Sequence, residues 1–228
     1  MTTRARQLFA SPMLSAMLLA LAPTASGQGL VNFANTFQTN TYITTNSVEQ
    51  GSPTGWISGP RDSYYFALFV SPPNSVSNAP PGLVGWTYTG AIGTNTGAVG
   101  RFSGNPTPPG APIVGYDPGE VADFLVFGWS GNIGTTWQQA QAWWNNGDPD
   151  HGSLSADEGW FGYSTIARRI LLSNSTPVGN IFGLGSDQAL GFNLEYYAVP
   201  EPASGWKMGL GAIVLLVYRR RSRRHPTC

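Results

Sequence analysis

Residues 64–70 read YYFALFV and residues 121–129 read VADFLVFGW, and these two runs decide the fold. Each is apolar almost without a break, rich in aromatic and β-branched residues, and short for a helix. A strand with one wet face alternates in polarity, whereas a strand covered on both faces does not. Both runs are therefore expected as central strands with an apolar layer on either side. Outward from them, residues 83–89 alternate, with Val84, Trp86 and Tyr88 on one side. Residues 190–197 set Leu190, Phe192, Leu194 and Tyr196 against Gly191, Asn193, Glu195 and Tyr197, an apolar-in, polar-out pattern. Residues 30–45 alternate in part through Val31, Phe33 and Phe37, and residues 160–167 add a further strand candidate.

One stretch changes period. Residues 135–146, TTWQQAQAWWNN, read as a short helix. Thr135 or Thr136 can cap it, with Gln138 or Gln139 three residues on, and Gly147 suits the position just past its end. Trp137, Ala140 and Trp144 share one face. Trp143 and Trp144 are adjacent and cannot both lie in one stripe, so one of them is expected at solvent or in a groove. Aromatic faces stack on sugar C–H groups, which makes Trp143 and Trp144 the candidate sugar contacts. Residues 71–81 and 104–118 are Pro- and Gly-rich and read as surface connections, and the repeated Gly-Ala of residues 90–100 reads as a loop. Many short strands, one helix and no βαβ alternation predict a mainly β domain over residues 28–198, an antiparallel sandwich or jelly-roll-like fold.

The composition agrees. Of 228 residues only 11% are charged and 12% are aromatic, which excludes a disordered tail, a coiled coil and a helix bundle. The net charge of zero hides an asymmetry. Residues 28–198 hold eleven acidic residues against four Arg and no Lys, a net of −7, which disfavours nucleic acid as a partner. Cys228 is the lone cysteine, so no intrachain disulfide forms.

No motif of hydrolase, zinc or phosphate chemistry is present. His151, in Asp-Pro-Asp-His-Gly, reads as a loop histidine. Asp148, Asp150, Asp157 and Glu158 are candidate Ca²⁺ ligands, since clustered carboxylates suit a hard cation, but their spacing is not that of an EF-hand loop. A solvated acidic loop is the competing reading, and no other cofactor is implied. Asp117, Glu120, Asp123 and the 148–158 group offer carboxylates for a glycosidase, which would need two of them facing each other. A non-enzymatic protein is the expectation, with a lectin-like binder or glycoside hydrolase as the alternative.

Both ends read as targeting segments. Arg4 and Arg6 precede an apolar stretch over residues 8–22, and Pro23 and Ala25-Ser-Gly27 follow, the pattern of a signal peptide over residues 1–27 read by the Sec export machinery. At the other end come Val199-Pro200-Glu201-Pro202, an apolar segment over 203–218, and a basic tail over 219–228 that begins RRRSRR. The apolar segment is sixteen residues, about 24 Å as a helix, against a hydrocarbon core of ~30 Å. Lys207 can snorkel from one end of it. Arg219, Arg220, Arg221, Arg223 and Arg224 would stay on the cytoplasmic side of the inner membrane.

This order resembles the PEP-CTERM sorting domain of Gram-negative bacteria. Pro200, Glu201 and Pro202 match its motif, and Arg219 to Arg221 its basic stop. Gly29-Leu-Val-Asn-Phe33 is similar to mature openings in the same family. The resemblance covers about thirty residues. It implies processing by exosortase, a membrane-embedded enzyme, after transient anchoring in the inner membrane. It also implies delivery to the outer surface or extracellular matrix, in association with exopolysaccharide.

Overall fold

The computed structural model describes residues 28–35, 39–46, 51–77, 82–106, 110–147 and 158–197. Its strands in chain order are β1 (Gly29–Asn32), β2 (Thr44–Thr45), β3 (Gly55–Trp56), β4 (Tyr64–Ser71), β5 (Thr87–Asn95) and β6 (Phe102–Ser103). They continue with β7 (Ala111–Ile113), β8 (Val121–Ser130), β9 (Gly159–Tyr163), β10 (Ala167–Leu171), β11 (Gly179–Asn180) and β12 (Asn193–Tyr197). The α-helix α1 (Trp137–Gly147) joins β8 to β9, and a 3₁₀ turn spans Thr39–Thr41.

The two apolar runs are neighbours. β4 pairs antiparallel with β8 along its whole length, from Tyr64 opposite Ser130 to Ser71 opposite Asp123. Alternation then sends each run into two cores. Phe66, Leu68 and Val70 join Phe124 and Val126 on one face, where Val31, Phe102, Ile113, Phe182 and Phe192 close over them. Ala67 and Phe69 join Leu125, Phe127 and Trp129 on the other, beneath Trp137, Ala140 and Trp143 of α1. A three-stranded sheet, β11-β1-β7, thus supplies the layer on one side of the pair and α1 the layer on the other. The unbroken polarity of both runs has this cause.

The remaining strands extend from the pair. β5 and then β6 follow β4, while the free edge of β8 is shared by β9, opposite Phe127 to Trp129, and β10, opposite Val121 to Phe124. Between these two strands Ser164 bonds Val126 twice: its amide donates to the Val126 carbonyl at 2.8 Å, and its hydroxyl accepts from the Val126 amide at 3.1 Å. β12 pairs β9, then β2 and β3 complete the path. The sheet curls until its two ends meet. The Gly100 amide, before β6, donates to the Ile57 carbonyl after β3 at 2.8 Å, and the Gly100 carbonyl accepts from the Ile43 amide at 3.0 Å.

The mainly β class with one short helix among the described residues is as expected, and several boundaries differ. The strand expected over residues 160–167 ends at Tyr163, and β10 begins at Ala167. The strand expected over residues 83–89 starts at Thr87 and runs to Asn95. The chain turns before it at Leu83 and Gly85, both with positive φ. Gly90, also with positive φ, sits where the β4–β5 register shifts, so the residues read as a loop carry a bulged strand. The Pro-rich stretch 104–118 contains β7, an edge strand with Ala111 and Ile113 buried and Pro112 outward, where a missing N–H is tolerated. Residues 30–45 divide between β1 and β2, which lie in different sheets. Leu190, expected inward, is exposed, since β12 begins only at Asn193. No helix of the described residues is long and apolar enough to cross a membrane. The expected helices in 1–27 and 203–218 lie outside the described residues.

Candidate functional site

The site is built from the C-terminal half of α1. A capping box starts the helix. The Thr136 hydroxyl accepts from the Gln139 amide at 3.3 Å, and the Gln139 side-chain oxygen accepts from the amides of Thr135 at 2.8 Å and Thr136 at 3.2 Å. The helix then buries Trp137, whose ring meets Phe69 edge-on at 4.8 Å and Phe127 at 5.0 Å. Its last turns pass over β9 and β12. There Trp143 packs 5.9 Å from Phe161, and Trp144 lies nearly parallel to Phe161 at 4.5 Å and perpendicular to Tyr197 at 5.9 Å.

Helical spacing placed Trp144 in the buried stripe. The structure instead buries Trp143 more deeply and leaves Trp144 half-buried. Phe161 and Tyr197 receive both indoles, so the sheet beneath the helix, not helix periodicity alone, chooses the buried one. The expectation that one of the pair reaches a groove holds, and that residue is Trp144.

The groove lies between Trp144 and the outer face of β9 and β12. A depression of about 450 Å³ is lined by Trp144, Phe161, Gly162, Tyr163, Asn193, Glu195 and Tyr197. A side chain at Gly162 would strike the Asn193 carbonyl, so glycine permits the close approach of β9 to β12. A second depression of about 80 Å³ shares Trp144 and Tyr163 and adds Gln141 and Asn145. The Glu195 carboxylate and the Tyr163 hydroxyl have no hydrogen-bond partner among the described residues, and Asn193 uses only its Oδ1, toward the Thr44 hydroxyl at 3.1 Å. Among the described residues no Lys, Arg or His lines either depression.

Asn193, Glu195 and Tyr197 were legible as the outward face of an alternating strand, but nothing local in sequence brings them to Trp144. Tyr163 carried no signal beyond its place in a strand candidate.

The other carboxylates go elsewhere. Asp123 is wholly buried, and its Oδ2 pairs with Arg168 at 3.1 Å and accepts from the Asn74 amide at 2.9 Å. Its Oδ1 accepts from the Arg169 amide at 2.8 Å. Arg168 also donates to the carbonyls of Val76 and Ser77, both at 3.0 Å. This carboxylate is a clasp for the chain after β4, not a free acid. Asp117 and Glu120 close an exposed turn on each other, the Asp117 amide donating to Glu120 Oε2 at 2.7 Å. Glu158 is exposed, and its carboxylate accepts from the Tyr196 hydroxyl. That bond, with smaller contributions from burial and from the Glu158 charge, holds the Tyr196 phenol above its ordinary pKa. Among the described residues no three metal-ligating side chains converge. Asp148, Asp150, Asp157, His151, the motif Val199 to Pro202 and the arginines of the basic tail lie outside the described residues.

Comparison of the chain with protein-family models, curated proteins and solved structures gives no match.

Proposed function

We propose that this chain is an exported, non-enzymatic protein of the cell surface or extracellular matrix. One observation carries the reading: Val199-Pro200-Glu201-Pro202, then an apolar segment, then a cluster of five Arg, in a chain that opens with a signal-type segment. In this proposal the Sec machinery exports the chain while the basic tail holds its other end at the cytoplasmic face of the inner membrane. An exosortase-type enzyme reads the Pro-Glu-Pro motif, and the β domain passes outward to associate with exopolysaccharide. The layering of a curled sheet, a small sheet and a helix supports reading the domain as a jelly-roll-like sandwich.

A second reading, a carbohydrate-active module, is favoured by the groove beside Trp144. The groove supports the binder over the hydrolase. Among its described lining residues only Glu195 is a carboxylic acid, whereas glycosidic hydrolysis uses two, about 5–10 Å apart.

The test replaces Pro200-Glu201-Pro202 with three alanines in a host that carries an exosortase. In this proposal the two prolines, which lack N–H donors, and the glutamate between them are the features the enzyme recognises. The variant is expected to stay cell-associated with its apolar segment uncleaved, while the unaltered chain is processed and displayed. A variant processed and displayed as efficiently as the unaltered chain would sink the proposal.

A further inference from the structure

We propose that the groove between α1 and β9–β12 is a binding subsite for a neutral saccharide. This rests on the binder reading above and adds the class of ligand and the residues that hold it.

The groove joins two kinds of surface. Trp144 gives one face to Phe161 and is only half-buried, and Tyr163 beside it is 38% exposed. Together they make an apolar wall that a flat C–H surface covers well. Around it stand the Glu195 carboxylate, the Tyr163 hydroxyl and the Asn193 Nδ2, none with a partner among the described residues. An acceptor, a group that both donates and accepts, and a donor thus border one aromatic wall. A wholly apolar ligand would cover these groups without pairing them, which disfavours it.

Charge narrows the choice further. An anionic ligand such as a uronate, sulfate or phosphate ester would meet Glu195, no cation among the described lining residues, and a segment of net charge −7. A simple ammonium would satisfy Glu195 but has no acceptor for the Asn193 amide. A neutral sugar has both requirements: C–H faces for the indole, and hydroxyls that donate to Glu195 while accepting from Asn193 and Tyr163. The volume of about 450 Å³ falls within the range of small-ligand sites, roughly 300–1,000 Å³. Gln141 and Asn145 add polar groups to the border of the smaller depression beside Trp144.

The test titrates the purified full chain with neutral gluco-, manno- and galacto-oligosaccharides, with an oligouronate, and with tetramethylammonium. Calorimetry and tryptophan fluorescence provide the readouts. At least one neutral oligosaccharide is expected to bind and the other two probes are not. Trp144→Ala should weaken binding about tenfold or more, and Glu195→Gln several-fold, since the amide keeps one acceptor. Circular dichroism checks that each variant is folded, and Tyr163→Phe, which removes one hydroxyl alone, gives an independent loss if Trp144→Ala is not. No binding by any neutral oligosaccharide overturns the inference, as does binding that these substitutions leave unchanged or a preference for tetramethylammonium or the uronate. Sorting is read by a separate assay, so the export proposal and this one fail independently.

Discussion

Three buried asparagines hold this fold together. Asn35 donates through Nδ2 to the carbonyls of Thr41 at 2.8 Å and Gly100 at 2.7 Å, and accepts at Oδ1 from the Phe102 amide at 2.8 Å. Asn46 accepts from the Tyr196 amide and donates to the Gly51 carbonyl, and Asn95 accepts from the amides of Ser63 and Tyr64 and donates to the Pro60 carbonyl. Each ties segments far apart in the chain through groups that no strand ladder satisfies. In sequence these residues resemble any turn asparagine, because their partners are set by the curl of the sheet. Asn35→Ala would strand the Phe102 N–H and leave two carbonyls a donor short, so a loss of about 2–3 kcal/mol is expected from urea denaturation. The tyrosines supply a second prediction at this scale. Burial raises the phenols of Tyr64, Tyr88 and Tyr116, and the bond to Glu158 raises Tyr196. A phenol whose folded pKa exceeds its unfolded one gives a stabilisation that is complete below the unfolded value and is lost as pH rises through the folded value. Stability should therefore decline above about pH 10. Phenolate absorbance should also appear at higher pH in the folded chain than in urea.

At the scale of elements, legibility followed how local the deciding physics was. β4 and β8 were readable because burial on both faces leaves its mark in every residue of the strand. The start of α1 was readable because a capping box is a contact between near neighbours, Thr136 and Gln139. The later part of β5 and all of β7 read as loops in sequence because Gly90 and Pro112, which punctuate loops elsewhere, occupy here a bulge and a sheet edge. Those positions depend on which strand lies alongside. The two indoles of α1 that frame the site follow the same rule, since Phe161 and Tyr197 decide their burial. Trp137 sits among Phe69, Phe127 and Trp129, so Trp137→Ala should cost about 3–5 kcal/mol through the cavity it leaves. Trp144→Ala removes a half-buried ring and should cost clearly less. Thermal melts of the two variants check the order, and equal losses would mean that Trp144 is a core residue rather than a groove wall.

At the scale of the molecule, two cores share one partition. β4 and β8 form the floor of both, so neither core can lose its packing while the other keeps its own. Phe66 and Phe124 face the side closed by the small sheet, and Phe69 and Phe127 face the side closed by α1, from the same two strands. The curl adds a second constraint, because the contacts at Gly100 tie the last strands of the path to the first. The lone cysteine means that no crosslink stands in for this coupling. Unfolding is therefore expected as one cooperative transition, with the same midpoint in the presence and absence of reductant. Tryptophan fluorescence reports mainly on the α1 side, where Trp86, Trp129, Trp137 and Trp143 lie, while far-ultraviolet circular dichroism reports on the whole backbone. The two curves should superimpose. Phe124→Ala, on the side away from those indoles, should move the fluorescence midpoint as far as the dichroism midpoint, by the loss of about 3–5 kcal/mol that a buried phenylalanine gives. If the fluorescence transition stays in place while the dichroism transition moves, the two cores fold independently and the shared partition does not couple them.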